Sequence, residues 1–264
     1  MKNQVANATP PPILLEKILL LDIETAPNLS WTWGKWQQDV IEFERSWYIM
    51  CFAAKWLKED GFVCALSDFR QYKGDKENDL RLVKEIWRLL DKAEIVIAHN
   101  GKQFDIKKIY SRFLVHGLPP PAPFRIIDTK IEVKRHFGFT SNKLDDLGQE
   151  LGIGKKLKHT GFEMWKGCMR GDAKSWELMK KYNLQDVVLL EKLYLKLRPF
   201  MKTHPNLGNY LNHSCCSKCG SGSLTRQGYY YNQTTKYQQV KCKDCAGWGI
   251  VPINLQEIKV IKGI

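Results

Sequence analysis

The apolar run over residues 18–21 leads directly into Asp22-Ile23-Glu24. Side chains alternate between the two faces of a β-strand, so Asp22 and Glu24 would share one face and Ile23 would point to the other. Two carboxylates on one face of a buried strand repel each other and lose hydration, and a divalent cation would offset both costs. The alternative is a strand end at which the two acids simply reach water.

Strand and helix patterns alternate over the following residues. Strands are predicted at residues 48–57, 62–69, 94–98 and 124–128, and helices at residues 79–93, 104–116, 129–137, 143–152 and 174–198. Three strands followed by strand–helix units predict an α/β fold, in which a mixed five-stranded sheet carries helices on its faces. Between the first two strands, Trp31, Trp33 and Trp36 would either close over the sheet or stack on unpaired bases.

Composition divides the chain into four predicted segments. Residues 1–14 contain a proline run and no apolar segment of a secretion signal, which predicts a disordered arm. The α/β domain is expected at residues 15–202, a small cysteine-containing module at 210–252 and a tail at 253–264. Since no apolar run approaches about 18 residues, no membrane span is predicted.

Two Cys-x-x-Cys pairs near the C-terminus have the spacing of a structural zinc site, with 22 residues between the inner cysteines. The predicted ligands of one Zn²⁺ are Cys216, Cys219, Cys242 and Cys245. Cys215 and His213 are competing ligands nearby. The alternating aromatic residues between the pairs resemble the hairpin of a zinc ribbon. The absence of a secretion signal favours a reducing, cytoplasmic compartment. In such a compartment these cysteines would bind a metal in preference to forming disulfides.

The net charge of +13 favours a polyanionic partner, most simply nucleic acid. The cysteine module offers both charge and stacking surfaces for such a partner. These residues are Lys218, Arg226, Lys236, Lys241, Lys243, Tyr229, Tyr230, Tyr231 and Tyr237. The alternative is a module with a purely structural or protein-docking role.

Two later segments also carry acids in defined contexts. Asp105 falls at the predicted start of a helix, where a carboxylate could simply cap backbone N–H groups. A spacing of four places Tyr182 and Asp186 on one face of the last predicted helix. Apolar residues flank that face, so the acid would be costly unless it were paired or bound a metal.

Together the three acidic segments resemble the motifs of the DEDD superfamily of 3′–5′ exonucleases, which has an RNase H-like fold. The matching residues are Asp22 and Glu24 in the first motif, Asn100, Phe104 and Asp105 in the second, and Tyr182 and Asp186 in the third. One branch of the superfamily has a histidine where this chain has Lys181. The resemblance is therefore to the tyrosine branch and is similar to proofreading domains of B-family DNA polymerases.

The resemblance implies phosphodiester hydrolysis with two divalent ions, Mg²⁺ or Mn²⁺. By this resemblance Asp22 would bridge both ions, Glu24 and Asp186 would complete the site that activates water, and Asp105 would hold the second ion. Tyr182 would orient the attacking water, because a phenol with a pKa of about 10 is a poor base at neutral pH. The implied substrate contacts are Thr25, Asn100 and Phe104.

The sequence thus predicts a metal-dependent 3′–5′ exonuclease that acts on single-stranded DNA 3′ ends and proofreads or trims them in trans. A polymerase or replication protein is a second predicted partner. One alternative keeps the chemistry and changes the substrate to RNA 3′ ends. Two others are a non-catalytic protein that binds nucleic acid or docks a partner, and an RNase H-like endonuclease of the transposon or resolvase type.

Overall fold

The structure is a computed structural model that describes residues 17–36, 39–68, 70–71, 75, 77–211 and 214–253. These residues form two compact units, the first ending at Leu197 and the second beginning at Arg198. The predicted N-terminal arm and nearly all of the predicted tail lie outside the described residues. Within that part of the chain, the helices are too short or too polar to cross a bilayer.

The described residues of the first unit form seven strands. They are β1 (Ile18–Thr25), β2 (Leu29–Trp31), β3 (Glu42–Arg45), β4 (Ile49–Trp56), β5 (Phe62–Leu66), β6 (Ile95–Ala98) and β7 (Arg125–Asp128). Five of them form one sheet in the order β5-β4-β1-β6-β7, in which β4 runs antiparallel to both β1 and β5, and β6 runs parallel to both β1 and β7. The predicted mixed five-stranded sheet is therefore confirmed, with β1 at its centre.

Helices cover both faces of this sheet. They are α1 (Leu80–Lys92), α2 (Asp105–Val115), α3 (Thr129–His136), α4 (Leu144–Glu150), α5 (Phe162–Arg170) and α6 (Ala173–Leu197). On one face Leu19, Leu21 and Ile23 of β1 join a buried apolar cluster with α1 and α2. The long helix α6 packs against β1 and β4. The alternation along β1 therefore places Asp22 and Glu24 on the face opposite that cluster.

The segment between β1 and β4 differs from the sequence prediction, because β2 and β3 pair there as a separate two-stranded ribbon. Trp31, Trp33 and Trp36 are 61%, 89% and 76% exposed. The alternative in which they close over the sheet as core is therefore wrong. The helix α5 was also missing from the prediction, since its nine residues contain only a short apolar pattern.

The second unit contains a three-stranded antiparallel sheet. Its strands are β8 (Leu224–Tyr231), β9 (Lys236–Cys242) and β10 (Trp248–Pro252), in the order β10-β9-β8. Lys218 lies next to the first cysteine pair and is buried, and its ammonium donates to the backbone carbonyl of Met201. The prediction that Lys218 offers its charge to nucleic acid is therefore wrong, because the ammonium is buried and bonded within the unit.

Candidate metal centres and active site

The first candidate site lies where β1 faces α6. Asp22 and Glu24 project from β1, and Tyr182, Asn183 and Asp186 lie on α6. The side-chain amide of Asn183 donates to Oδ2 of Asp22 at 2.6 Å and to the backbone oxygen of Asp22 at 3.3 Å. Asn183 is fully buried, so this pair fixes the direction of the Asp22 carboxylate.

Asp105 approaches the same strand from α2. Its Oδ1 accepts the backbone N–H of Ile23 at 3.1 Å, between the two acids of β1, and the residue is 3% exposed. The carboxylate also accepts the backbone N–H of Asp105 itself, at the start of α2. Helix capping, the alternative role considered from sequence, does not explain the second bond to Ile23, which ties Asp105 to the strand that carries the other two acids.

A fifth acid, Asp128, holds the loop that leads to Asp105. Its carboxylate accepts the backbone N–H groups of Asn100 and Lys102 at 3.0 Å each, and it caps α3 through Lys130 and Ile131. Asp128 is thus the N-cap residue of α3. Because both oxygens of Asp128 accept backbone N–H groups, the residue shapes the site as a scaffold, and its charge also raises the pKa of Asp105.

Carboxylate oxygens of Asp22, Glu24 and Asp186 all lie within 4.8 Å of one another. Asp105 is outside this group of three but adjoins it through Ile23. Oδ1 of Asp186 is buried and has no hydrogen-bond partner in the described part of the chain. A buried carboxylate oxygen without a partner, beside two further carboxylates, suits a hard divalent cation.

Burial raises the pKa values of all four acids, and repulsion among them raises those of Asp22 and Glu24 further. Burial is the larger cause for Asp22, whose pKa lies well above its ordinary value, and the charges of Asp105, Glu24 and Asp186 add to it. Burial and then Asp186 raise the pKa of Glu24 to about 8, and burial raises that of Asp105 to about 7. Burial likewise raises the pKa of Asp186. The carboxylates are therefore assembled by the fold at an electrostatic cost.

Lys156 supplies a positive charge at this site. Its Nζ donates to Oδ2 of Asp186 at 2.6 Å and to the hydroxyl oxygen of Tyr182 at 2.9 Å. Burial alone would lower the pKa of Lys156, but the charge and the hydrogen bond of Asp186 raise it above its ordinary value. The backbone N–H of Lys156 donates to Asp145 at 2.7 Å, which anchors the loop that carries it.

The ring of Tyr182 is held by neighbouring rings. His159 and Trp165 meet it edge to face, with centroid distances of 4.9 Å and 6.3 Å. Burial raises the pKa of its phenol, and the charge of Asp186 raises it further. The hydroxyl therefore keeps its proton at neutral pH, which makes it a donor or positioning group.

A cavity of about 460 Å³ adjoins the acids. Its lining includes Thr25, Trp47, Lys108, His159 and Trp165. Lys108 Nζ lies 3.7 Å from the centroid of the Trp47 ring, so a cation and an aromatic face occur together in one wall. Pockets of this size accept small molecules.

The predicted substrate contacts are placed differently from one another. Thr25 directly follows Glu24 and lines the cavity. Asn100 has a positive φ of 69°, and its backbone is held by Asp128, while Phe104 is 37% exposed with its ring 5.8 Å from Lys108 Nζ. Neither Asn100 nor Phe104 is among the residues that line the cavity.

Sequence reasoning missed Lys156, Asn183 and the cavity residues Trp47 and Lys108. Asn183 could have been found, because it precedes Asp186 by three residues and so shares its helical face. Lys156 lies among three lysines in a loop, and no spacing rule selects it.

The second candidate site is formed by the four predicted cysteines. The sulfurs of Cys216, Cys219, Cys242 and Cys245 lie within 4.8 Å of one another, with two pairs at 3.6 Å. A tetrahedral ion with Zn–S bonds of about 2.3 Å would hold its sulfurs about 3.8 Å apart. Cys215 is outside this cluster, and His213 lies outside the described residues.

The two cysteine pairs close with the same backbone turn. Gly220 and Ala246 each follow the second cysteine of a pair, have φ values of 75° and 59°, and donate N–H to the carbonyl of the first cysteine. Although burial opposes it, N–H donation from Cys245 and Asp244 lowers the pKa of Cys242 to about 7. A thiol that ionises readily among three others fits a zinc ribbon.

The mixed sheet, its flanking helices and an acidic centre beside the middle strand define a nuclease fold. The chain belongs to the RNase H superfamily, since the family model RNase_H_2, described as RNase_H superfamily, matches residues 41–198. The predicted RNase H-like fold is thereby confirmed. The match begins after β1, so Asp22 and Glu24 are assigned to the site by the structure and the motif pattern.

Among solved structures, the chain is similar to the family B DNA polymerase from the hyperthermophilic archaeon Pyrobaculum calidifontis. The TM-score is 0.52 with 13% sequence identity, over 86% of this chain and 32% of the polymerase. The chain thus matches about a third of the polymerase's length, and the likeness is one of fold. It confirms the expected similarity to a B-family polymerase at that level. No curated protein matches the chain.

Proposed function

We propose that the chain is a divalent-metal-dependent 3′–5′ exonuclease that acts on single-stranded DNA ends, trimming them or proofreading in trans. The observation that carries this proposal is the cluster of Asp22, Glu24 and Asp186, with Asp105 bonded to the strand between the first two. The family supports nuclease activity in general, and the motif pattern resembles that of proofreading exonucleases.

The acid cluster suits Mg²⁺ or Mn²⁺ because it offers several carboxylate oxygens, one of them buried without a partner. Asp22, Glu24, Asp105 and Asp186 would hold the ions. When bound, two such ions supply an activated water and neutralise charge that develops on the phosphate.

The protein's own groups have separate tasks in this proposal. Asn183 keeps the Asp22 carboxylate in one orientation through its amide. Tyr182 retains its phenolic proton and positions the attacking water by hydrogen bonding. Lys156 holds both the Tyr182 hydroxyl and Asp186 in place.

The cavity next to Thr25 would accept the terminal nucleotide. Trp47 and Trp165 line the cavity and would contact an unpaired base, and Lys108, which lies against the Trp47 ring, would pair with a phosphate. Stacking on a ring face requires an unpaired base, so this wall favours single strands over duplex.

The test is digestion of 5′-labelled single-stranded DNA with and without Mg²⁺, alongside RNA of the same sequence. We expect a metal-dependent ladder of shortening products from DNA, and none from the Asp186→Asn variant. A mismatched 3′ end on a duplex should be trimmed faster than a paired one.

Three outcomes would contradict the proposal. Cutting of a covalently closed single-stranded circle would indicate an endonuclease. Absence of hydrolysis with either Mg²⁺ or Mn²⁺ in a folded chain would indicate a non-catalytic role. Faster shortening of RNA than of DNA would replace the DNA substrate with RNA 3′ ends.

A further inference from the structure

The three-stranded sheet of the second unit has one face that is rich in exposed rings. Residues paired across antiparallel strands share a face, and Trp248 pairs with Lys241 while Tyr230 pairs with Tyr237. Ile250 pairs with Gln239, two residues along from Lys241, and so lies on the same face. We call the face formed by Tyr230, Tyr237, Gln239, Lys241, Trp248 and Ile250 the aromatic face.

The opposite face is the one that carries the zinc site. Val240 and Cys242 alternate along β9 with Gln239 and Lys241, so they point to the opposite face. Their partners Arg226 and Leu224 share that face. The cysteines join Leu224 in a buried cluster at one end of this face. Its other end carries Tyr229 and Tyr231, which are 48% and 63% exposed. The opposite face is therefore packed around the cysteines at one end and open at the other.

The aromatic face is accessible. Tyr230 is 45% exposed, and Trp248 and Ile250 are each 49% exposed. The ring centroids of Tyr230 and Tyr237 lie 6.1 Å apart, and Lys241 Nζ lies 5.7 Å from the centroid of Trp248. From Tyr237 to Lys241 the strand rises about 13 Å, which leaves room for a few stacked nucleotides.

The excess positive charge of this unit favours a negatively charged partner for the aromatic face. Residues 198–253 contain seven Lys or Arg residues against one acid, Asp244. Even a zinc site of four thiolates, which subtracts two charges, leaves an excess of positive charge. The strand pairing places none of the described acids on the aromatic face. A polyanion with flat apolar groups matches a surface of rings that has Lys241 beside Trp248, on a unit with excess positive charge.

We propose that the aromatic face of the zinc-ribbon unit binds single-stranded nucleic acid, with bases stacked on Tyr230, Tyr237 and Trp248 and a phosphate paired with Lys241. The face lies in a unit that carries none of the four acids, so this binding does not depend on hydrolysis. It would be tolerant of sequence, because every base presents a ring face.

The test uses the full-length, zinc-loaded chain and a fluorescent covalently closed circle of about 40 deoxythymidines, with an oligouridine circle as the second arm. A circle has no 3′ end to enter the active site. Its binding therefore reports on a surface outside that site. We expect at least about fivefold weaker binding in Trp248→Ala and in Tyr230→Ala, and a larger loss in the double variant.

Tyr231→Ala is the matched control. Tyr231 is 63% exposed, more than Tyr230, but it pairs with Lys236 on the opposite face. Its replacement should change binding less than twofold. Zinc content of one ion per chain in every variant would show that the module remains folded.

Several results would overturn the proposal. These are failure of the wild-type chain to bind either circle, equal losses in Tyr230→Ala and Tyr231→Ala, and unchanged binding in the zinc-loaded double variant. Photo-crosslinks that map to Tyr229 or Tyr231 in place of Tyr230, Tyr237 or Trp248 would also contradict it. A partner protein or a second copy that binds this face while the circles do not would replace nucleic acid as the occupant.

The outcome is separable from that of the proposed exonuclease activity. Asp186→Asn should abolish hydrolysis and leave circle binding intact. The double variant should still shorten a DNA of about six nucleotides, which is too short to need a second binding surface.

Discussion

The two candidate metal sites are built in opposite ways. The acids come from residues 22, 24, 105 and 186 and are positioned by strands and helices of a large core. The cysteines come from two short turns, and among the described residues Leu224 is the one further apolar side chain that packs against them. The first site is therefore held in place by a fold that is stable without it. The second unit depends on its metal site for a stable fold.

The two sites have opposite effects on the free energy of folding: without metal the acid cluster costs stability, whereas the zinc site supplies it when the ion is bound. In the first unit, packing forces carboxylates together, and their raised pKa values record that cost. In the second unit, little apolar area is buried, so binding energy of the ion must supply stability. Removing the metal should therefore unfold one unit and leave the other folded.

The largest effect is expected from removal of zinc. A chelator selective for Zn²⁺ over Mg²⁺, or the substitution Cys242→Ser, should unfold residues 198–253, with a loss of order 10 kcal/mol of metal-binding free energy. Hydrogen exchange should show loss of amide protection in β8 to β10 and none in β1. Cys215→Ser, outside the cluster, is the control. Retained protection in the zinc-free second unit would abolish the contrast between the sites.

The next largest effect concerns the acids. Asp22→Asn should lower hydrolysis at least about 1,000-fold, which is about 4 kcal/mol in the activation free energy. Because the substitution removes buried repulsion, the free energy of unfolding without metal should stay the same or increase. Denaturant melts and the rate of product formation provide the two measurements. Glu150→Gln, at an exposed acid, should change neither. An Asp22→Asn variant that fails to fold would show that the fold depends on the Asp22 carboxylate, which contradicts the prediction.

An intermediate effect is expected from pH, through one histidine in each unit. Burial lowers the pKa of His99 and of His204 to about 4, against 6.5 when unfolded. Between these values the unfolded chain binds more protons, so stability is lost as the pH falls from 6.5 towards 4, by at most about 3 kcal/mol per histidine. His99→Gln should remove this loss in the first unit only, and His204→Gln in the second only.

The buried carboxylates act in the opposite direction, since their raised pKa values favour the protonated folded state as the pH falls. The test is therefore the difference between each variant and the wild-type chain, followed by hydrogen exchange from pH 7 to pH 4.5. Equal slopes in the wild-type chain and His99→Gln would contradict the prediction.

The smallest effect is expected at Lys156. In metal-free protein its ammonium offsets part of the repulsion among the acids, so Lys156→Met should lower the free energy of unfolding by about 1–2 kcal/mol. We expect less than for a fully buried pair, because the side chain is 30% exposed. Saturating Mg²⁺ should shrink the difference, whereas the exposed Lys158→Met should show none. An equal loss with and without Mg²⁺ would mean that Lys156 acts through packing.

The sequence predicted the features that depend on local spacing. Alternation placed Asp22 and Glu24 on one face, and Cys-x-x-Cys pairs identified the thiol cluster. It did not predict Lys156, because the direction of that side chain depends on Asp145, eleven residues earlier, accepting its backbone N–H. Nor did it predict the ribbon of β2 and β3, whose exposed tryptophans run against the usual burial of such rings.

Asp128 has a consequence for any attempt to count ligands by mutagenesis. One carboxylate joins the end of β7, the first turn of α3 and the loop before Asp105. Replacing it with alanine would release that loop and displace Asp105, so activity would fall as if a ligand had been removed. An alanine scan alone would thus count five essential acids. Titration of bound Mn²⁺ would separate Asp128, which holds the loop, from the acids that bind the metal.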